Sequence, residues 1–186
     1  MTVLDQTRVP VPVEAHTAEF PPHVLVNNPL KLDTSLQEQC NWCWAAVASH
    51  VNNFLPSSPQ LNSQCEVAGL VLEPTNCCAS PSSCNSVVAL SVAMTDVGHP
   101  VNAQQPDDQK VQDEINAGRP AMGRIDWTGG GASHFLAFYG YVPATPTEKL
   151  QFNVADPRWG PCLADAKQVH DMYRNLGKWA SALVLQ

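Results

Sequence analysis

From Gln39 to Cys65 the chain contains no Asp, Glu, Lys or Arg. Within this stretch Trp42 to Leu55 predicts a helix that is apolar nearly all round, closed by Pro56 and Pro59. A helix without a polar face has to be surrounded by protein, so the remaining elements must pack around it. The 186 residues are enough for one domain with a true core.

The start of this helix suits a nucleophile. Cys43 falls in the first turn, where the positive end of the helix dipole favours thiolate over thiol. The backbone N–H at that turn has no partner inside the helix and can face a developing oxyanion. Gln37, one short loop upstream, offers a second donor from its side-chain amide.

A cysteine nucleophile needs a base, and the base needs an orienting group. His134 follows Gly131-Ala132-Ser133 and opens the apolar run Phe135 to Tyr141, so its ring can project past a strand end into a cleft. Asp156 closes the next predicted strand, in Phe152-Asn153-Val154-Ala155-Asp156-Pro157. Antiparallel neighbours bring those two ends within side-chain reach. His50 lies two helical turns beyond Cys43, a rise of about 10 Å, too far to take the thiol proton. His16, His23, His99 and His170 have no companion acid motif and read as solvated or structural.

The remaining elements follow from periodicity and punctuation. A short helix is expected at Gln64 to Val71, then a loop from Thr75 to Asn85. Helical spacing resumes from Val87 to Met94, and another helix runs from about Asp107 to Ala117, with an aspartate near its N-cap and Gly118 at its end. After Pro120 the period changes to 2. Strands are expected at Ala121 to Trp127, His134 to Val142, Leu150 to Ala155 and Ala180 to Leu185, with one or two helical turns at Val169 to Asn175. Helices first and an antiparallel sheet second is an α+β arrangement.

The run Gln37, five residues, Cys43-Trp44-Ala45, with Cys40 three positions before the nucleophile, resembles the signature of papain-like cysteine proteases. Asn41 and Trp42 depart from papain, which has small residues there. The Trp-Cys-Trp-Ala-Ala form is more similar to the bacterial avirulence-effector branch, and the aspartate followed by proline at 156–157 also matches bacteriocin-leader-processing relatives, where papain has asparagine. The resemblance implies a papain-like fold over residues 31–186 and a Cys43, His134, Asp156 triad with Gln37 at the oxyanion. It also implies Trp44 as a supporting residue and Trp159 as a screen over the His134–Asp156 bond. The step Cys84-Asn85 matches the one with which papain-like enzymes bridge to the cysteine before the nucleophile, which implies a Cys40–Cys84 disulfide. Cysteine peptidase activity on a protein or peptide substrate follows, with no metal or organic cofactor and a monomeric state. Delivery into another cell by a non-classical route is the effector analogy.

Other readings compete. An acyl transferase, transglutaminase-like or peptide-ligating, would use the same site with an amine as acceptor. A disulfide-rich binding module on an inactive scaffold would leave Cys43 unreactive. Cys40-x-x-Cys43 with Cys77, Cys78 and Cys84 has zinc or redox spacing, but that leaves Gln37, Trp44, His134 and Asp156 without a role.

Composition narrows the classes further. A net charge of -7 argues against nucleic acid, and no apolar run reaches membrane-spanning length. No classical signal peptide is visible at the N-terminus. Residues 1–30 hold five of the sixteen prolines and read as an extended arm, leader or pro-segment. Of seven cysteines, six besides Cys43 form an even set, namely Cys40, Cys65, Cys77, Cys78, Cys84 and Cys162. Up to three bridges would suit an oxidising compartment, with adjacent Cys77 and Cys78 each bound elsewhere.

Overall fold

The computed structural model describes residues 29–56, 63–72 and 76–186. Of the expected arm, all but Pro29 and Leu30 lies outside the described residues.

The uncharged stretch forms α1 (Cys43–Phe54), in which every residue from Cys43 to Asn52 is buried. It is followed by α2 (Gln64–Val71) and α3 (Leu90–Asp96). A capping box starts α2: the Ser63 side chain accepts from the Glu66 N–H while Glu66 returns to the Ser63 N–H. After β1 (Val101–Gln104), α4 (Asp108–Asn116) is capped by Asp107, whose carboxylate accepts from the N–H groups of Gln109 and Lys110. Then come β2 (Ala121–Trp127), β3 (His134–Val142), β4 (Gln151–Ala155), β5 (Cys162–Asp165), α5 (Ala166–Met172) and β6 (Gly177–Leu185). The six strands make one antiparallel sheet in the order β1-β6-β2-β3-β4-β5.

The sheet separates two apolar layers. Along β3 the period of 2 sends Phe135, Ala137 and Tyr139 into the core shared with α1, α2 and α3, and Leu136 and Phe138 into the core shared with α4 and α5. This explains why β3 is buried at every position except Tyr141. The result is α+β: a helical N-terminal region around a buried cysteine and a C-terminal antiparallel sheet, in a papain-like arrangement.

Three boundaries differ from expectation for physical reasons. Residues 85–89 do not join α3, because the carbonyls of Cys84 and Ser86 accept the indole N–H groups of Trp42 and Trp44 at 2.8 and 2.9 Å. That holds the loop extended against α1. β1 and β5 are four-residue edge strands, too short to show a period. β6 begins three residues earlier than expected, because Gly177 pairs with Trp127.

Two disulfides tie the loop after α2, Cys65–Cys78 and Cys77–Cys84. The expected Cys40–Cys84 bridge is therefore wrong: Cys84 turns inward to Cys77, and the group facing Cys40 is the Asn85 amide, whose nitrogen lies 3.0 Å from the Cys40 sulfur. Cys40, Cys43 and Cys162 are free thiols, so there are two bridges among the described residues and not three. With Cys77, Cys78 and Cys84 oxidised, the rival zinc reading keeps only Cys40 and Cys43 of its five cysteines. Among the described residues no group of three His, Cys, Asp or Glu side chains is arranged to hold a metal ion. No helix is long and apolar enough to cross a membrane, again among the described residues.

Candidate active site

Cys43 is the first residue of α1 and keeps 8% of its surface. Its neighbours fix it from both sides. Trp42 and Trp44 are fully buried, and each satisfies its indole N–H on a carbonyl of the 84–86 loop. Asn41 and Asn85 complete the clasp: the Asn41 N–H donates to Asn85 Oδ1 at 2.9 Å, and the Asn41 amide donates to the Asn85 carbonyl at 3.0 Å. Helix start and loop are thus one unit, and the disulfides sit immediately behind it.

The second half of the site comes from the sheet. His134 opens β3 and is 4% exposed; Asp156 follows β4 and is 1% exposed. Pairing of Ala137 with Ala155 brings the two strand ends together. His134 Nε2 lies 2.9 Å from Asp156 Oδ1. The other ring nitrogen is not taken up by Asp156. Burial alone would lower the His134 pKa, but the charge and hydrogen bond of Asp156, reinforced by Cys43, raise it to about 9. Burial would likewise raise the Asp156 pKa, but His134, Arg174 and the Tyr173 hydroxyl hold it at about 2. His134 and Asp156 are therefore a charged pair at neutral pH.

Asp156 is saturated with donors. Besides His134, its Oδ1 accepts the backbone N–H groups of Arg158 and Trp159 at 2.9 and 3.3 Å, and its Oδ2 accepts the Tyr173 hydroxyl at 2.5 Å. A turn that folds back onto its own aspartate accounts for the Asp-Pro spelling. The strap at residues 29–37 joins the two halves. The Leu30 N–H donates to the Tyr139 carbonyl at the β3 bulge, and the Gln37 N–H donates to the Pro157 carbonyl at 2.7 Å.

Gln37 is oriented differently from a free oxyanion donor. Its amide nitrogen spends its two protons on the carbonyls of Gln39 and Cys40, at 2.8 and 2.7 Å. Trp159 stands edge-on to the His134 ring, with centroids 5.6 Å apart.

Three neighbours were not legible beforehand. Trp127, at the end of β2, stacks on His134 with centroids 5.5 Å apart and 21° between the planes, so two indoles flank the imidazole. Tyr173 and Arg174, just after α5, reach Asp156 from the far side, with Arg174 Nε 3.4 Å from Oδ2. The hairpin spelling around Gly129 to Gly131 could have suggested Trp127. Nothing marked Arg174, since a non-glycine residue at φ 51° has no sequence signature.

His50 and His170 stay apart from this cluster, and Cys162 borders it without carrying charge. His50 is buried with Nε2 3.0 Å from Ser35 Oγ, pinning the strap to α1, and burial lowers its pKa. His170 meets Asp108 at 2.8 Å, joining α5 to α4. Cys162 is buried beside Arg174 and Tyr173, and burial pushes its thiol up to about 12, which leaves it protonated and inert.

Residues 22–167 match the family model described as papain-like cysteine protease AvrRpt2. Among solved structures, the chain is similar to a double glycine motif protease from an AMS/PCAT transporter in complex with the leader peptide. That match has 15% identity and a TM-score of 0.49, over 87% of this chain and 95% of the other. A comparison with curated proteins finds no match. The family match spans well over half of the sequence, and the chain belongs to the AvrRpt2 family of papain-like cysteine proteases, a family of cysteine-type peptidases.

Proposed function

We propose that the protein hydrolyses peptide bonds through a Cys43, His134, Asp156 triad. The observation that carries this reading is the buried His134–Asp156 contact of 2.9 Å, with the second imidazole nitrogen left to Cys43 at the start of α1. Cys43 attacks the scissile carbonyl as a thiolate beside the His134 imidazolium. The C–S bond forms, and the carbonyl electron pair moves onto oxygen. The Cys43 backbone N–H holds that oxygen, and Gln37 joins it by turning one amide proton away from its present carbonyl partner. Collapse of this intermediate breaks the C–N bond as His134 delivers its proton to the leaving amine, leaving a thioester. His134 then takes a proton from water, whose oxygen attacks the thioester and frees Cys43. Asp156 fixes the tautomer and supports the imidazolium throughout.

The substrate class is a protein or peptide segment in extended form. Two disulfides support a working place that is oxidising, consistent with an exported effector or toxin. Digestion of a peptide mixture in water enriched in oxygen-18, followed by mass spectrometry, tests the reaction. Hydrolysis places heavy oxygen in each new C-terminal carboxyl group, and Cys43→Ala abolishes the products. New isopeptide or peptide bonds without heavy oxygen would instead assign the acyl group to an amine acceptor.

A further inference from the structure

Building on the peptidase reading, we propose that Arg174 is the counter-charge of the site. Held against the Asp156 oxygen that His134 does not use, it cancels the carboxylate and lets the Cys43–His134 pair ionise as it would beside a neutral amide.

The geometry is specific. Asp156 is 1% exposed and presents Oδ1 to His134, while Oδ2 faces the Tyr173 hydroxyl and Arg174 Nε, at 2.5 and 3.4 Å. Arg174 itself is 6% exposed, an unusual burial for a guanidinium. Its planar head lies over the Trp159 ring at 4.9 Å from the centroid and over Tyr173 at 5.6 Å. Nη2 reaches the Cys162 sulfur at 3.7 Å. The backbone holds Arg174 at φ 51° and Asn175 at φ 58°, a conformation that L side chains rarely adopt. A surface arginine would need none of this.

The charges show what the arrangement accomplishes. With Cys43 as thiolate and His134 as imidazolium, the pair sums to zero, and Asp156 alone would leave a buried negative charge beside the thiolate. Arg174 returns the cluster to neutrality. The groups facing Asp156 are His134 from β3, Cys162 from β5, and Tyr173 and Arg174 from the turn after α5. Cys43 from α1 lies beyond His134, and Tyr139 lies beyond Cys162. Burial leaves Tyr173 and Cys162 protonated at neutral pH, so neither supplies charge. Arg158 stacks on the Trp159 ring at 5.0 Å and stays solvent-exposed. The positive charge that meets the carboxylate away from His134 is therefore that of Arg174. It is a positioning residue, acting through Asp156.

The test is the pH dependence of iodoacetamide alkylation at Cys43, mapped by peptide mass spectrometry on the full chain. Arg174→Met should move the onset of alkylation upward by about one pH unit, so the rate at pH 6 falls about tenfold. Arg174→Lys should keep most of the wild-type onset. Adding Asp156→Asn to Arg174→Met should bring the onset back towards wild type, because the charges balance again. An arginine that acts only by packing predicts no recovery in the double variant, because removing the Asp156 charge does not restore a lost fit. An unmoved onset in Arg174→Met, or a double variant shifted as far as the single or further, overturns the proposal. If Arg174→Met does not fold, the double variant decides: balance predicts that it folds with the wild-type onset, and an unfolded or shifted double variant refutes it. The peptidase reading fails by a different result, wild-type Cys43 whose reactivity is indifferent to His134→Ala.

Discussion

The indole of Trp127 lies nearly parallel to the His134 imidazole, 5.5 Å between centroids, while Trp159 meets the same ring edge-on at 5.6 Å. The two indoles also contact each other at 6.0 Å. The imidazole is therefore held by aromatic faces on two sides and by Asp156 at one nitrogen. An imidazolium gains further from the electron-rich face of an indole. Such a stack contributes about 1 kcal/mol, so Trp127→Ala should lower kcat/KM by about five- to tenfold and Trp127→Phe by less than threefold. Steady-state kinetics on a cleaved peptide would check this.

Tyr173 donates a hydrogen bond to a carboxylate that is ionised at neutral pH. A charge-assisted bond of this kind contributes about 1.5–3 kcal/mol. Tyr173→Phe should destabilise the fold by about that amount in urea denaturation at pH 7. The loss should shrink to about 0.5–1.5 kcal/mol in an Asp156→Asn background, where the acceptor is a neutral amide oxygen.

The pH dependence of stability follows from the two shifts. His134 is raised from 6.5 to about 9, so its contribution is fully present below about 6.5 and is lost as pH rises through about 9. Asp156 is lowered from 3.8 to about 2, so its contribution is present above about 3.8 and is lost as pH falls through about 2. The stability gap between wild type and His134→Gln should therefore be widest between about pH 4 and 6.5 and should narrow by pH 9. Urea titrations across that range would measure it.

The disulfide pattern makes a chemical prediction. Non-reducing digestion should release Cys65 and Cys84 both bonded to the one peptide that carries Cys77 and Cys78, with Cys40 recovered as a free thiol. The loops closed are short, with separations of 13 and 7 residues, so each bridge contributes about 2–3 kcal/mol. Reduction should lower the melting temperature and loosen the Asn85–Asn41 clasp around Cys43.

Gly177 sits where a Cβ would meet Ile125 Cγ2 and Trp127 Cε3 at 2.7 Å and the Asp126 carbonyl at 2.8 Å. The backbone carbonyl cannot move aside without breaking the β2–β6 pairing. Gly177→Ala should destabilise the protein by about 1–3 kcal/mol and displace Trp127 from its stack. Loss of activity greater than loss of fold, compared by circular dichroism and kinetics, would mark that displacement.

Sequence legibility followed the strength of local signals. The uncharged run from Gln39 announced α1, and the boundaries of α2, β2 and β3 were readable because caps, glycines and a clean period of 2 coincide there. His134 and Asp156 were readable because each lies at the end of such a strand. β1 and β5 were hidden by their length, and Tyr173 and Arg174 by a turn whose positive φ angles fall on Arg and Asn. The Cys40–Cys84 bridge that the resemblance implies does not form, because the Cys84-Asn85 step by itself does not fix which of the two side chains turns to Cys40. The three-dimensional placement gives the asparagine to Cys40 and the cysteine to Cys77.

Reaction of the folded protein with an epoxide thiol probe, mapped residue by residue, tests the central claim most directly. The account predicts one adduct, on the 8% exposed Cys43, and none on the more exposed Cys40 or the protonated Cys162. His134→Ala should slow that labelling at least tenfold. Modification of Cys40 with Cys43 left intact, or labelling of Cys43 at an undiminished rate without His134, would contradict it.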